Sequence, residues 1–223
     1  MLIYHGSPNI IEKPIYGKGK PYNDYGLGFY CTENIELAKE WACSETSDGY
    51  ANTYEFNIKD MHVLNLNDSN YNILHWLTLL ITNRDFRITN PIAKDAKQYL
   101  IDNFSINTAS YDVIIGYRAD DSYFAFAEDF LNNTISVKKL SLAMKLGNLG
   151  EQVVLMSKKA FNNLKFIEAV PAERSKYFLI KSKRDSEARK TYLTSNRKPS
   201  YSVDELYILD IMRQGVKNND SRL

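Results

Sequence analysis

At 223 residues, 44% hydrophobic and 25% charged, the chain has the makeup of a soluble globular protein with one large domain, or one domain and an appended piece. A net charge of +1 supplies no overall field to draw it onto nucleic acid or an acidic membrane. Cys31 and Cys43 are too few for a disulfide framework and the three histidines show no ligand spacing, so a zinc site is not expected, and no metal cofactor is assigned.

No basic stretch followed by an apolar core opens the chain, and the longest apolar run, 76–81, is too short to span a bilayer. A cytoplasmic protein with no membrane association is the expectation. Residues 2–4 read as a first strand, stopped by Gly6-Ser7-Pro8-Asn9. Residues 11–15 read as a short strand that Pro14 confines to an edge. Gly17-Lys18-Gly19-Lys20-Pro21 reads as a basic, flexible loop that only punctuates. Two close glycines, Gly26 and Gly28, lead into a short strand at Phe29 and Tyr30. Asn34 then caps a helix whose Leu37, Ala38, Trp41 and Ala42 share a face.

Alternation over 51–58 predicts a half-buried antiparallel strand, and 61–66 another. Helices are predicted over 71–83 and over 91–104, where proline fits the first turn. A buried strand at 111–116 ends on Gly116, and helices follow at 122–132 and 136–146. Strand 151–156, a short helix at 158–164 and strand 166–170 complete the body. Residues 175–192 suit a solvated helix lying on it. Ser202-Val203-Asp204-Glu205 reads as a capping box for a helix ending near Gly215, and 217–223 as a disordered tail. The fold class is α+β, with a body over 1–170 and a helical C-terminal extension over 171–223 packed on the same domain.

Four places offer chemistry. His5 ends a strand beside Gly6 and Ser7, where a ring nitrogen and main-chain groups can meet a ligand. Tyr30 and Trp41 can form a slot for a planar ring. Asp120 and Asp121 form a secondary candidate, as a metal-binding pair or a base, against the commoner reading as turn-formers and helix caps. Glu151 and Gln152 open a strand, where either can hold a sugar hydroxyl.

Together, Tyr4-His5-Gly6-Ser7, Gly26-Leu27-Gly28-Phe29-Tyr30-Cys31-Thr32, Ala38 and Trp41 resemble the ADP-ribosyltransferase superfamily, in its diphtheria-toxin and poly(ADP-ribose)-polymerase-like branch. The chain also looks like an uncharacterised bacterial family within it. The resemblance implies a split antiparallel β-sheet core with inserted helices. It implies NAD as a substrate, with His5 on the adenosine ribose, the Gly6 backbone on the carboxamide beside Ser7, and Tyr30 and Trp41 on the nicotinamide ring. The family's catalytic glutamate opens a later strand. Here either Gln152 takes that position, or a bulge turns Glu151 inward.

The implied function is mono-ADP-ribosylation of a protein or nucleic acid by a bacterial toxin of a toxin–antitoxin or effector system, with a cognate antitoxin or immunity protein as partner. The competing readings are a lapsed NAD-binding or interaction module, an NAD glycohydrolase, and an RNA 2′-phosphotransferase. The last would want several basic residues in the pocket. The charged stretch 176–198 reads either as a nucleic-acid contact or as a solvated helix face.

Overall fold

A computed structural model describes residues 1–223 except 87, 89, 120, 147–149 and 197–204, and except the side chains of 121–123 and 195–196. Helices and strands are mixed in an α+β arrangement around two sheets. The first sheet has the order β1 (Leu2–Ser7), β3 (Gly49–Phe56), β7 (Leu164–Ala172), antiparallel throughout. The second has the order β2 (Phe29–Cys31), β6 (Glu151–Leu155), β5 (Val113–Tyr117), β4 (Val63–Asn65). Its β4 and β5 are parallel, which requires a crossover; α2 (Ile73–Asn83) and α3 (Pro91–Phe104) supply it.

The sheets touch where Tyr4 and Thr32 exchange backbone hydrogen bonds of 2.8 and 2.9 Å, and beyond that bridge they part. Helix α1 (Ile35–Ala42) lies against β1 and β3. Asn34 starts it by accepting the Glu36 and Leu37 amides, as its position before an apolar face predicts. The larger core gathers α2, α3, α4 (Asp121–Leu131) and α5 (Val137–Ala143) over the second sheet, with Trp76, Phe104, Phe126 and Phe130 fully buried. A smaller one joins Ile3, Phe29, Tyr54 and Val153 between the sheets, beside α6 (Lys158–Asn162).

Three expectations change. Residues 11–15 form no strand, and at Ile11 side chains take the backbone groups a strand would pair: Asn52 accepts the Ile11 amide at 2.8 Å and the Tyr54 hydroxyl donates to the Ile11 carbonyl. The tail is ordered. Arg222 clasps Asp220 and Gln214, and Leu223 packs on the core. The last helix, α8 (Ile208–Gln214), begins beyond the expected capping box, whose residues 202–204 lie outside the described residues, and it ends on Gly215 as anticipated. Helix α7 (Arg174–Asn196) follows β7 and carries two ion pairs along its own surface, Arg189 with Asp185 and Lys183 with Glu187. It also holds α1, through Arg184 on buried Glu40 at 2.7 Å and the Tyr177 hydroxyl on Glu36 at 3.1 Å.

Candidate active site

A cavity of about 680 Å³ opens where the two sheets part. Among its walls are His5, Gly6 and Ser7 from β1, Tyr30 from β2, Trp41 from α1 and Gln152 from β6. Residues far apart in sequence thus meet in one cleft.

The His5 ring stacks on Phe29 at 4.3 Å and its Nδ1 lies 2.7 Å from the Tyr30 carbonyl. A carbonyl only accepts, so Nδ1 carries the proton and Nε2 is left as an acceptor. Burial holds the imidazole's pKa below its ordinary 6.5, which keeps this neutral form at neutral pH. Gly6 lies two residues beyond Tyr4. Strand periodicity therefore turns its N–H and C=O to the edge that Tyr4 uses for Thr32, now facing the opening. Gly6 is also where α1 presses closest: a Cβ there would stand 2.1 Å from the Ala38 carbonyl oxygen and 2.9 Å from the Trp41 Cβ. Ser7 is buried, and its Oγ accepts the Asn9 amide at 3.1 Å.

Tyr30 spends its hydroxyl on the preceding loop, donating to the Gly26 carbonyl at 2.7 Å and accepting the Tyr25 amide at 3.1 Å. Burial drives its pKa far up, so the ring's face, not its acidity, is what it offers the cleft. The Trp41 ring carries the Arg118 guanidinium 3.9 Å above it, a cation on an aromatic face.

Strand β6 sets the two later candidates on opposite faces. Its pairing with β5 is unbroken, Ile115 opposite Val153, Gly116 opposite Gln152 and Tyr117 opposite Glu151. With no bulge, the neighbours point to opposite faces. Gln152 lines the cleft at 4% exposure; Glu151 is exposed on the other side and accepts from Asn67 at 2.9 Å. Asp120, and the side chain of Asp121, lie outside the described residues.

The group that sequence reasoning passed over is Asp24. Its buried carboxylate accepts two bonds from Arg84 at 2.9 and 2.7 Å, one from the Ala119 amide at 3.0 Å and one from Gln152 Nε2 at 2.8 Å. A carboxylate accepts only, so the Gln152 amide must turn its nitrogen to Asp24 and its oxygen elsewhere. Local sequence carries one hint, an aspartate in an otherwise aromatic and glycine-rich approach to β2. The cleft is otherwise basic, with Lys13, Lys18, Lys20, Arg84 and Arg118 on its walls, a set suited to an anionic ligand.

Among the described residues, no group of three or more His, Cys, Asp or Glu is placed to hold a metal, and no helix is long and apolar enough to cross a membrane. In comparison with known proteins, the family described as "Protein of unknown function (DUF3990)" matches residues 1–166. No curated protein and no solved structure matches the chain.

Proposed function

The chain belongs to the DUF3990 family, and from its cleft we propose that it binds NAD and transfers ADP-ribose to a macromolecule. The observation that carries this reading is the convergence of His5, the Gly6 edge, Tyr30, Trp41 and Gln152 on one cavity between two splayed sheets. The first four are the groups that the resemblance to ADP-ribosyltransferases assigns to NAD, and Gln152 is one of the two residues it offers for the catalytic position. The split-sheet core of that superfamily is part of the proposal, with β4 joining the second sheet parallel to β5 where an all-antiparallel core was expected.

The chemistry follows from the groups present. The aromatic faces of Tyr30 and Trp41 suit a pyridinium ring, and the Gly6 N–H and C=O suit its carboxamide. His5 Nε2 accepts a ribose hydroxyl, and the basic walls attract the diphosphate. As the glycosidic C–N bond breaks, positive charge develops on the ribose, and its electron pair leaves with neutral nicotinamide. Gln152, held by Asp24, turns its carbonyl dipole to a ribose hydroxyl. An amide stabilises the developing charge less than a carboxylate, which favours a single slow transfer. The toxin role, with a cognate antitoxin or immunity protein, is supported by the resemblance.

Nicotinamide release from NAD tests the reading by chromatography. Wild-type protein is expected to release it, and His5→Ala or Gln152→Ala to slow release about a hundredfold, the lower end of the scale for a positioned polar group at a reacting centre. Unchanged turnover in both variants would sink it. Gln152 also favours a second reading, an NAD-binding module without turnover, for which the outcome is saturable NAD binding with no nicotinamide formed.

A further inference from the structure

The segment 8–23 runs beside the cleft mouth, and it is built rather than loose. Fully buried Asn52 grips its start, accepting the Ile11 amide at 2.8 Å and donating to the Asn9 carbonyl at 3.1 Å. A turn closes through the Lys18 amide on the Ile15 carbonyl at 3.2 Å, with Gly17 at φ +81° as that turn's third position requires. Gly19 lies so close to Gly28 that a Cβ would stand 2.7 Å from its carbonyl oxygen. The Tyr16 ring meets the edge of Phe161 at 5.5 Å.

This anchored segment holds its aromatic and aliphatic groups in water. Tyr22 is 65% exposed, Ile15 61% and Tyr16 46%. Between them stand Lys18 and Lys20, with Lys13 before; all three line the cleft, and Lys158 sits 5.8 Å over the Tyr16 ring. Segment 8–23 carries three lysines against one glutamate in a chain whose net charge is only +1, so the positive potential is local. Exposed rings interleaved with lysines on a fixed backbone match the two demands of a single strand of nucleic acid: faces for unstacked bases and cations for phosphates. An acidic peptide would use the lysines and leave the tyrosines unexplained.

We propose that segment 8–23 is the acceptor-binding edge of the site and that it binds single-stranded nucleic acid, with bases on Tyr16 and Tyr22 and phosphates on Lys18 and Lys20. The identity of the acceptor rests on the transferase reading; the binding does not. Because the lysines line the same cavity as His5 and Gln152, a bound strand brings a base or a chain end to the ribose. A nitrogen or oxygen there forms the new bond to the ribose carbon as the C–N bond to nicotinamide breaks. The nucleophile's proton passes to solvent.

Fluorescence anisotropy with labelled 12-mers of oligo(dT) and oligo(rU), in the absence of NAD, tests the binding and separates DNA from RNA. Wild-type protein is expected to bind at least one of them, and Tyr16→Ala with Tyr22→Ala to weaken it roughly tenfold or more. Lys18→Ala with Lys20→Ala should reduce the slope of log K against log salt by about 1.4, from roughly 0.7 per phosphate contact. Urea midpoints of both variants within error of wild type show that the fold is kept. Absence of binding to either strand overturns the proposal, as does binding that both variants leave unchanged. Label from NAD appearing on protein in a lysate but never on an added oligonucleotide overturns the acceptor assignment. Nicotinamide release without strand binding would sink this inference and spare the transferase, and strand binding without NAD turnover would do the reverse.

Discussion

Gln152 donates its side-chain amide to the Asp24 carboxylate across 2.8 Å, joining the start of β6 to a loop 128 residues earlier. Replacing Gln152 by glutamate sets two carboxylates against each other in a buried place, which raises the new group's pKa. Such a group binds its proton more readily folded than unfolded, so Gln152→Glu is most destabilised at high pH and recovers as pH falls through its raised folded pKa. Adding Asp24→Asn recreates an amide–carboxylate pair with the roles exchanged. We expect a coupling energy of about 2 kcal/mol between the two changes at pH 8, read from urea midpoints of the wild type, both single variants and the double variant. Simple additivity would show that the pair is not coupled.

Gly6→Ala should be damaging out of proportion to one methyl group. Its Cβ would meet the Ala38 carbonyl oxygen at 2.1 Å and the Ala42 amide at 2.8 Å, both backbone atoms that cannot rotate aside. Helix α1 must move off β1, at a cost of about 2 kcal/mol by comparison with other overpacked interiors. Trp41 moves with it, so on the proposed NAD reading affinity for NAD is expected to fall together with stability. Wild-type stability and affinity in this variant would remove the close approach from the account of the site.

Much of the fold is legible because its signals are local. Asn34 before Leu37 and Ala38 marks the start of α1, and Pro91 in a first turn marks α3. The parity of Glu151 and Gln152 is only half legible: a regular strand admits one of them to the cleft, and it takes the unbroken pairing with β5 to show which. Asp24 is not. Its partners come from positions 84, 119 and 152, and no window of sequence contains them. Residues 11–15 mislead for the same reason: their apolar spacing suits a strand, while distant Asn52 and Tyr54 have claimed the backbone at Ile11. The lysine-rich loop reads as punctuation until Phe161 and Gly28 are seen to fix it.

Two histidines are expected to carry the pH response of stability between 7 and 5. Burial lowers the pKa of both His5 and His75 from the ordinary 6.5. Each therefore binds its proton less readily folded than unfolded. Its contribution to stability is complete above 6.5 and is lost as pH falls through that value toward the folded pKa. Urea midpoints of wild-type protein should decline from pH 7 to pH 5, and His5→Gln with His75→Gln should flatten the decline. An equal decline in the double variant would assign it to other groups. The same protonation removes the His5 Nε2 acceptor, so NAD affinity should drop over this range as well.

The two tryptophans divide the fluorescence between site and core. Trp76 is 1% exposed and donates its Nε1–H to the Tyr25 hydroxyl at 2.9 Å and to the Tyr117 carbonyl at 3.0 Å, so its emission should report only unfolding. Trp41 is half-buried in the cleft wall under Arg118. A planar ring entering the cleft must either stack on Trp41 beside the guanidinium or displace it, and both change the indole's surroundings. Titration with NAD should therefore quench the native emission. Trp76→Phe should keep the whole response, while Trp41→Phe should show none even at NAD concentrations where calorimetry still detects binding. A quench that survives in Trp41→Phe would have to come from Trp76, and would separate Trp41 from the nicotinamide role proposed for it.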